Sequence, residues 1–260
     1  MSFAMNPNQR GFYTLLKKEV MRFWAVLGQT VSAPVITALL YLLVFAQALK
    51  GRVVDGYDGI DYTQFLVPGL VMMTIIQNAF ANTSSSLIQS KVMGNIVFTL
   101  MAPLGPVEWF GAYILAALVR AALVAAAMLA VTLVFVRLPF EQPFVLLAVF
   151  LLSAGCLASL GIIAGLWAQK FDQIAAFTNF IVTPASFLSG VFYSVHSLSG
   201  FWYHASHLNP FFYMVDGFRY GFFGHADVPI TISLAWIAGF FVLVSSIAYW
   251  MLHTGYRMRK

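Results

Sequence analysis

Long apolar runs alternate with short polar segments along this chain. Six runs stand out, at about Gln29–Leu49, Tyr62–Leu87, Phe110–Val136, Phe144–Trp167, Ile174–Phe192 and Ile230–His253. An α-helix rises about 1.5 Å per residue, so roughly 20 apolar residues cross a hydrocarbon core of about 30 Å. Barrel strands would instead alternate apolar and polar over about ten residues. The pattern predicts an all-α polytopic membrane protein with six transmembrane helices. The longest stretch between spans, Tyr193–Pro229, has 37 residues. That is too short for a second folded domain, so residues 1–260 are expected to form a single transmembrane domain.

Two segments outside the runs carry patterns of their own. Residues 10–25, RGFYTLLKKEVMRFWA, set Phe12, Leu15, Leu16, Val20, Phe23 and Trp24 near helical spacing, with Lys17, Lys18 and Arg22 between them. This predicts a basic amphipathic helix in the inner interface, with Trp24 at headgroup depth. Phe192–Pro229 is aromatic-rich but interrupted by Gly200, Pro210, Gly217, Gly221 and Gly224. Irregular backbone at membrane depth is tolerated only against protein or a wet cavity. A re-entrant hairpin dipping from the outer face meets that demand. Within it, Asn209 is placed to cap a short helix whose first turn holds Pro210. Arg219 would lie near the far end, where a cation complements the dipole, with Asp216 pairing to it on the same face.

Composition sharpens the class. The chain is 61% hydrophobic and 9% charged, against about 25% charged in soluble domains. An ordinary cytosolic enzyme and a disordered chain are excluded. The net charge of +5 comes from 14 Lys and Arg spread over the whole length, too sparse for a nucleic-acid surface. A single cysteine, Cys156, rules out a disulfide framework. His204 and His207 have no carboxylate cluster or cysteine beside them, so no metal site is expected. Residues 1–28 lack the apolar core and cleavage site of a secretory signal.

Charge position also sets orientation. With both termini inside, the cytoplasmic side holds Arg10, Lys17, Lys18, Arg22, Lys91, Lys170, Arg257, Arg259 and Lys260. The outer side holds Lys50, Arg52, Arg137 and Arg219, together with Asp55, Asp58, Asp61, Glu141, Asp216 and Asp227. This distribution follows the positive-inside rule.

Polar residues recur on single faces of two spans. Thr74, Gln77, Asn78, Asn82 and Ser85 share one face of the second, and Asn179, Thr183, Ser186 and Gly190 one face of the fifth. Two readings stand: interhelical hydrogen bonding, or the lining of a translocation path. Arg120 lies inside the third span, where a charge costs a few kcal/mol. Gly161 and Gly165 form a GxxxG, a pattern for close helix approach that is common by chance. The inner loop Gln89–Trp109 is apolar for a cytoplasmic segment. Its residues Val92–Met101 suit a short helix, bounded by Pro103 and Pro106. Such a patch marks a partner surface or tucks against its own spans. No glycine is followed by lysine, so the phosphate-binding loop of ATPases is absent. No cofactor is expected on this chain, and it is not expected to be an enzyme.

Several of these segments together resemble bacterial ABC-2 type permeases, the membrane subunits of ABC exporters. The resemblance rests on the amphipathic helix before six spans, on YTQFLVPGLVMM opening the second, on the inner loop ending in APLGP, and on HLNPFFYMVDGFRYGFFG, with Asn209 and Pro210 followed by Arg219. It is closest to the short permeases grouped with those for Nod factor, O-antigen and teichoic acid. Many members carry acidic residues in the inner loop where Asn95, Val97 and Phe98 stand here. The resemblance implies two permease copies, as a homodimer, working with two ATPase subunits that hold ATP and Mg. It implies that Val92, Asn95, Val97, Phe98, Lys170 and Asp172 couple to the ATPase. It also implies that the hairpin with Asn209, Pro210, Asp216 and Arg219 closes an outer gate. The path would be lined by Thr74, Gln77, Asn78, Asn82, Asn179, Thr183 and Ser186. The cargo would be lipid-, saccharide- or drug-like, exported across the inner membrane.

Overall fold

The computed structural model describes residues 7–48, 53–54, 57–198 and 200–258. Leu49, the expected end of the first span, lies outside the described residues, as do Lys50, Arg52, Asp55, Arg259 and Lys260. In chain order the elements are α1 (Pro7–Trp24), α2 (Leu27–Ala48), β1 (Val53–Val54), β2 (Tyr57–Asp61), α3 (Tyr62–Val92), α4 (Ile96–Met101), α5 (Pro106–Thr132) and α6 (Pro143–Trp167). They continue with α7 (Phe171–Phe177), a π-helical stretch (Thr178–Val182), α8 (Thr183–Phe187), α9 (Phe201–Leu208), α10 (Pro210–Phe223) and α11 (Ile230–Thr254).

Five helices among the described residues are long and apolar enough to cross a membrane: α2, α3, α5, α6 and α11. The fifth expected span is built differently. It is a run of 7, 5 and 5 residues, α7, the π stretch and α8. The Thr183 N–H reaches back five residues to the Thr178 carbonyl. Pro184 explains the widening, since it has no N–H to donate and its ring crowds the carbonyl four residues earlier. The connection before α3 is a small antiparallel ribbon of β1 and β2, which the all-helical expectation did not include.

α3 is the central helix, buried along most of its length and packed on both α6 and α5. The Gly161–Gly165 pair is used here: a methyl on Gly161 would collide with Thr83 Oγ1 and the Phe80 carbonyl, and one on Gly165 with Leu87. That close approach lets Thr83 Oγ1 donate to the Ala158 carbonyl at 2.8 Å. α1 has the expected amphipathic form and packs on α5, burying Leu15, Glu19 and Phe23 at four-residue spacing while Tyr13, Met21 and Trp24 stay exposed. α2 and α11 leave most of their apolar surface uncovered.

Candidate coupling and translocation site

The α3 stripe is met by partners from within the chain. Thr74 Oγ1 donates to the Leu70 carbonyl at 2.8 Å, and Asn78 Nδ2 to the Thr74 carbonyl at 3.1 Å. Arg120 Nη2, from α5, donates to Asn78 Oδ1 at 3.2 Å. Arg22, near the end of α1, donates through Nη2 to the Asn82 carbonyl at 2.7 Å and to its Oδ1 at 3.1 Å. Its Nη1 reaches Ser85 Oγ at 3.2 Å. Its Nε pairs with Glu19 at 3.2 Å, and Glu19 is fully buried. Gln77 alone of the path residues on α3 keeps part of its surface exposed.

The second stripe is placed otherwise. Ser186 is buried and donates to the Val182 carbonyl at 2.7 Å. Thr183 is half-buried, and Asn179, in the π stretch, is exposed. The two stripes therefore differ in how far the chain covers them.

Between α3 and α5, α4 offers an apolar face. Val97, Phe98 and Met101 are 52%, 74% and 78% exposed. The expected helix over Val92–Met101 is shorter than the sequence suggested. Val92 ends α3, and a turn through Asn95 intervenes, with Gly94 at φ +74°. That is a left-handed conformation glycine adopts without strain. Clefts flank α4 on both sides. One, of about 620 Å³, runs along α1 past Arg10, Thr14, Lys18 and Phe98. The other, of about 490 Å³, is lined by Lys91, Val97, Gln169 and Arg257. Lys91 ties the last turn of α3 to the end of α6. Its ammonium donates to the Leu166 carbonyl at 2.7 Å and to the Ala168 carbonyl, while Arg257 Nη1 donates to the Trp167 carbonyl at 2.9 Å. Two cations thus cap the negative end of the α6 dipole. Lys170 and Asp172 stand exposed just beyond.

On α10 the Asn–Pro…Arg spacing becomes two staples. Asn209 caps α10 as expected, its Oδ1 accepting from Phe211 N–H at 3.0 Å. Its Nδ2 donates to the Ala185 carbonyl of α8 at 2.7 Å. One staple lower, Arg219 Nη2 donates to the Gly190 carbonyl at 3.0 Å, in the turn after α8. Its guanidinium carbon lies 3.6 Å from the centre of the Phe65 ring, and cation–π attraction is strongest where water is excluded. Gly69 leaves room for this: a methyl there would approach Arg219 Nη2 to 3.2 Å and the Val191 carbonyl to 3.0 Å.

The expected Asp216–Arg219 pair does not form. Asp216 instead accepts from Asp227 N–H at 2.8 Å, Val228 N–H at 3.3 Å and Ser233 Oγ at 3.4 Å, tying α10 to the start of α11. Burial pushes its carboxyl up to about 6, and the backbone donor at Asp227 opposes the shift. Nor does Arg219 act on the helix dipole, because the last turn of α10 holds no basic residue and the guanidinium turns sideways to α3. Asp227 carries the network on, accepting from Ser194 Oγ at 3.0 Å and Val195 N–H at 2.8 Å. On α9, His207 Nδ1 donates to the Tyr203 carbonyl at 2.8 Å.

Sequence reasoning missed the Glu19–Arg22 anchor onto α3 and the Lys91 cap. Glu19 stands three residues before Arg22 on the amphipathic helix, a legible ion-pair spacing. Nothing local marks Lys91, whose partners lie more than seventy residues away along the chain.

The exposed apolar helix α4 thus stands near the capped end of α6, and α10 is stapled to α8, to the turn after it and to α3. The chain belongs to the ABC-2 type transporter family, whose family model matches residues 10–223. Among individual proteins it is similar to the inner membrane transport permease YadH of Escherichia coli (strain K12), with 38% identity over 245 residues and 94% of each chain covered. The protein of the same name from Shigella flexneri matches to the same extent. The chain is thus a multi-pass membrane transporter subunit.

Proposed function

We propose that this chain is the permease of an ATP-driven ABC-2 type exporter, working with a separate ATPase subunit that binds ATP and Mg. On this reading 1–260 is one transmembrane domain with six crossings, the sixth supplied by α7, the π stretch and α8. The hairpin of α9 and α10 is re-entrant from the outer side, and both termini face the cytoplasm. Two copies form a homodimer in the inner membrane, and two ATPases serve it. The cargo is lipid-, saccharide- or drug-like.

The observation that carries this reading is α4. Three large apolar side chains on six residues stand in the open at the inner end, clefts flank them, and Lys91 in the neighbouring last turn of α3 fastens the second inner loop to α3. Apolar surface of that kind is retained where a partner covers it. Motion of a docked ATPase would then reach α3 and α6 together, because Lys91 joins their ends. Gln77, Asn179 and Thr183, whose polar surface the chain itself does not fully cover, are the residues that line the path between copies. Arg219 and Asn209 hold the outer gate to the end of α8.

Replacing Val97 and Phe98 together with Asp tests this. Co-purification with the ATPase should fall at least tenfold while membrane insertion is unchanged. Undiminished co-purification would return α4 to mere packing.

A further inference from the structure

Arg120 is one residue past the midpoint of α5, a 27-residue helix. Such a helix is about 40 Å long and carries its midpoint close to the bilayer centre. A guanidinium has five N–H donors. The bond to Asn78 Oδ1 takes one, and the buried Nε has no acceptor. No carboxylate among the described residues forms an ion pair with Arg120. The neighbouring charge that acts on it is a second cation, Arg22, whose own carboxylate partner, Glu19, also meets Lys18. Part of Arg120 remains accessible, as does part of Gln77, the residue next to Arg120's partner Asn78 in the chain.

A cation at this depth without a counter-charge is costly unless an anion or water meets it. The other deep arginine shows what a self-contained solution looks like: Arg219 is 1% exposed, bonded to Gly190 and covered by an aromatic ring. Arg120 has no such cover. We propose that Arg120 binds the anionic group, a phosphate or carboxylate, of an amphiphilic cargo, with Arg22 adding positive potential from the inner side. This rests on the path reading above and narrows its cargo class. Resident lipid phosphates sit about half the core thickness away, roughly 15 Å, which is beyond the reach of an arginine side chain from the helix midpoint. Arginine suits the role because its fork meets two oxygens at once and stays charged at any relevant pH.

The test uses the full chain in phosphatidylcholine nanodiscs and radiolabelled dodecyl phosphate as probe, with dodecanol as the uncharged control. Wild type should bind dodecyl phosphate saturably. Arg120→Gln, which keeps a donor for Asn78, should weaken that binding at least tenfold and leave dodecanol unchanged. Arg120→Lys should recover a good part of it. Equal binding of dodecyl phosphate to wild type and Arg120→Gln overturns the site. So does complete displacement of the probe when phosphatidylglycerol replaces phosphatidylcholine, since that assigns the cation to bulk lipid. The path reading is probed separately by labelling Gln77→Cys with a membrane-impermeant maleimide, in a Cys156→Ser background co-expressing the ATPase. Labelling with no dependence of binding on Arg120 keeps the path and discards the anion site. Dependence on Arg120 without labelling keeps the site and discards the path.

Discussion

Along α3, Thr74, Asn78, Asn82 and Ser85 each meet a partner at hydrogen-bond distance, and the partners come from α1, α3 itself and α5. Along α7, the π stretch and α8, Ser186 is satisfied by its own helix, whereas Asn179 stands in the open. The residue types and their spacing are nearly alike in the two regions. What separates them is the number of helices around each. α3 sits at the centre of the chain, with helices on several sides, so an amide on its surface finds a donor or acceptor from a neighbour. The run from Phe171 to Phe187 lies at the edge, where one face, with Asn179 and Phe180, stays uncovered by the described residues. A polar stripe in a membrane helix therefore states a need for partners without naming their source.

The comparison can be broken most severely at Arg22. Arg22→Ala leaves fully buried Glu19 without its main cation and empties the sites on Asn82 and Ser85. Removing one partner of a buried pair costs about 3–5 kcal/mol. Part of Arg22 is solvent-exposed, so the lower end of that range is expected, read as a loss of thermal stability in detergent. A smaller loss, about 1–3 kcal/mol, is expected for Asn82→Leu, which strips the amide but leaves the Arg22–Glu19 pair. If either protein were as stable as wild type, the α3 stripe would not be structural.

Asp216 extends the satisfied class to α10 and gives it a pH dependence. Its carboxyl is raised from 3.8 to about 6 in the folded protein. A group raised on folding binds its proton more tightly in the native state, so its contribution to stability is present at low pH and lost as pH rises through about 6. Between about pH 6 and 4 the wild type should gain stability relative to Asp216→Asn by about 1–3 kcal/mol. Paired melting curves across that range decide it, and a pH-independent difference would mean Asp216 is not titrating in this network. The smallest stability effect belongs to the other stripe. Asn179→Leu should shift stability by less than about 0.5 kcal/mol, as for an exposed site, while export measured in proteoliposomes with the ATPase falls. A stability loss equal to that of Asn82→Leu would erase the distinction between the stripes.

Much of the candidate site is written in local patterns. Asn209 before Pro210 announces a capped helix start, and the cap is there at 3.0 Å. Apolar Val97 and Phe98 in a short segment between two spans announce a surface in want of cover, and both are exposed. Where the expectation failed, the true partner was distant in sequence. Asp216 and Arg219 share a helix face, yet the first turns to Asp227 and Val228 and the second to Gly190 and Phe65. Spacing lists the neighbours a side chain can have on its own helix. It does not say whether a backbone donor or an aromatic ring from elsewhere fits better.

The division follows from the range of the forces involved. Hydrophobic length, helix caps, proline breaks and the placement of lysines and arginines act through a few neighbouring residues or through the bilayer itself. The sequence alone therefore determined the membrane class, most of the crossings, the amphipathic α1 and the start of α10. Tertiary structure decided what those local rules leave open. It decided that Gly161 and Gly165 lie against Thr83 and Leu87, that Lys91 closes the end of α6 and that Arg22 anchors on Asn82. It also left Arg120 without a carboxylate partner among the described residues. Each of these depends on which helices come to lie side by side, and that is settled by the packing of the whole chain, since a polar group buried in apolar surroundings takes whichever partner the completed fold brings within 3 Å or so.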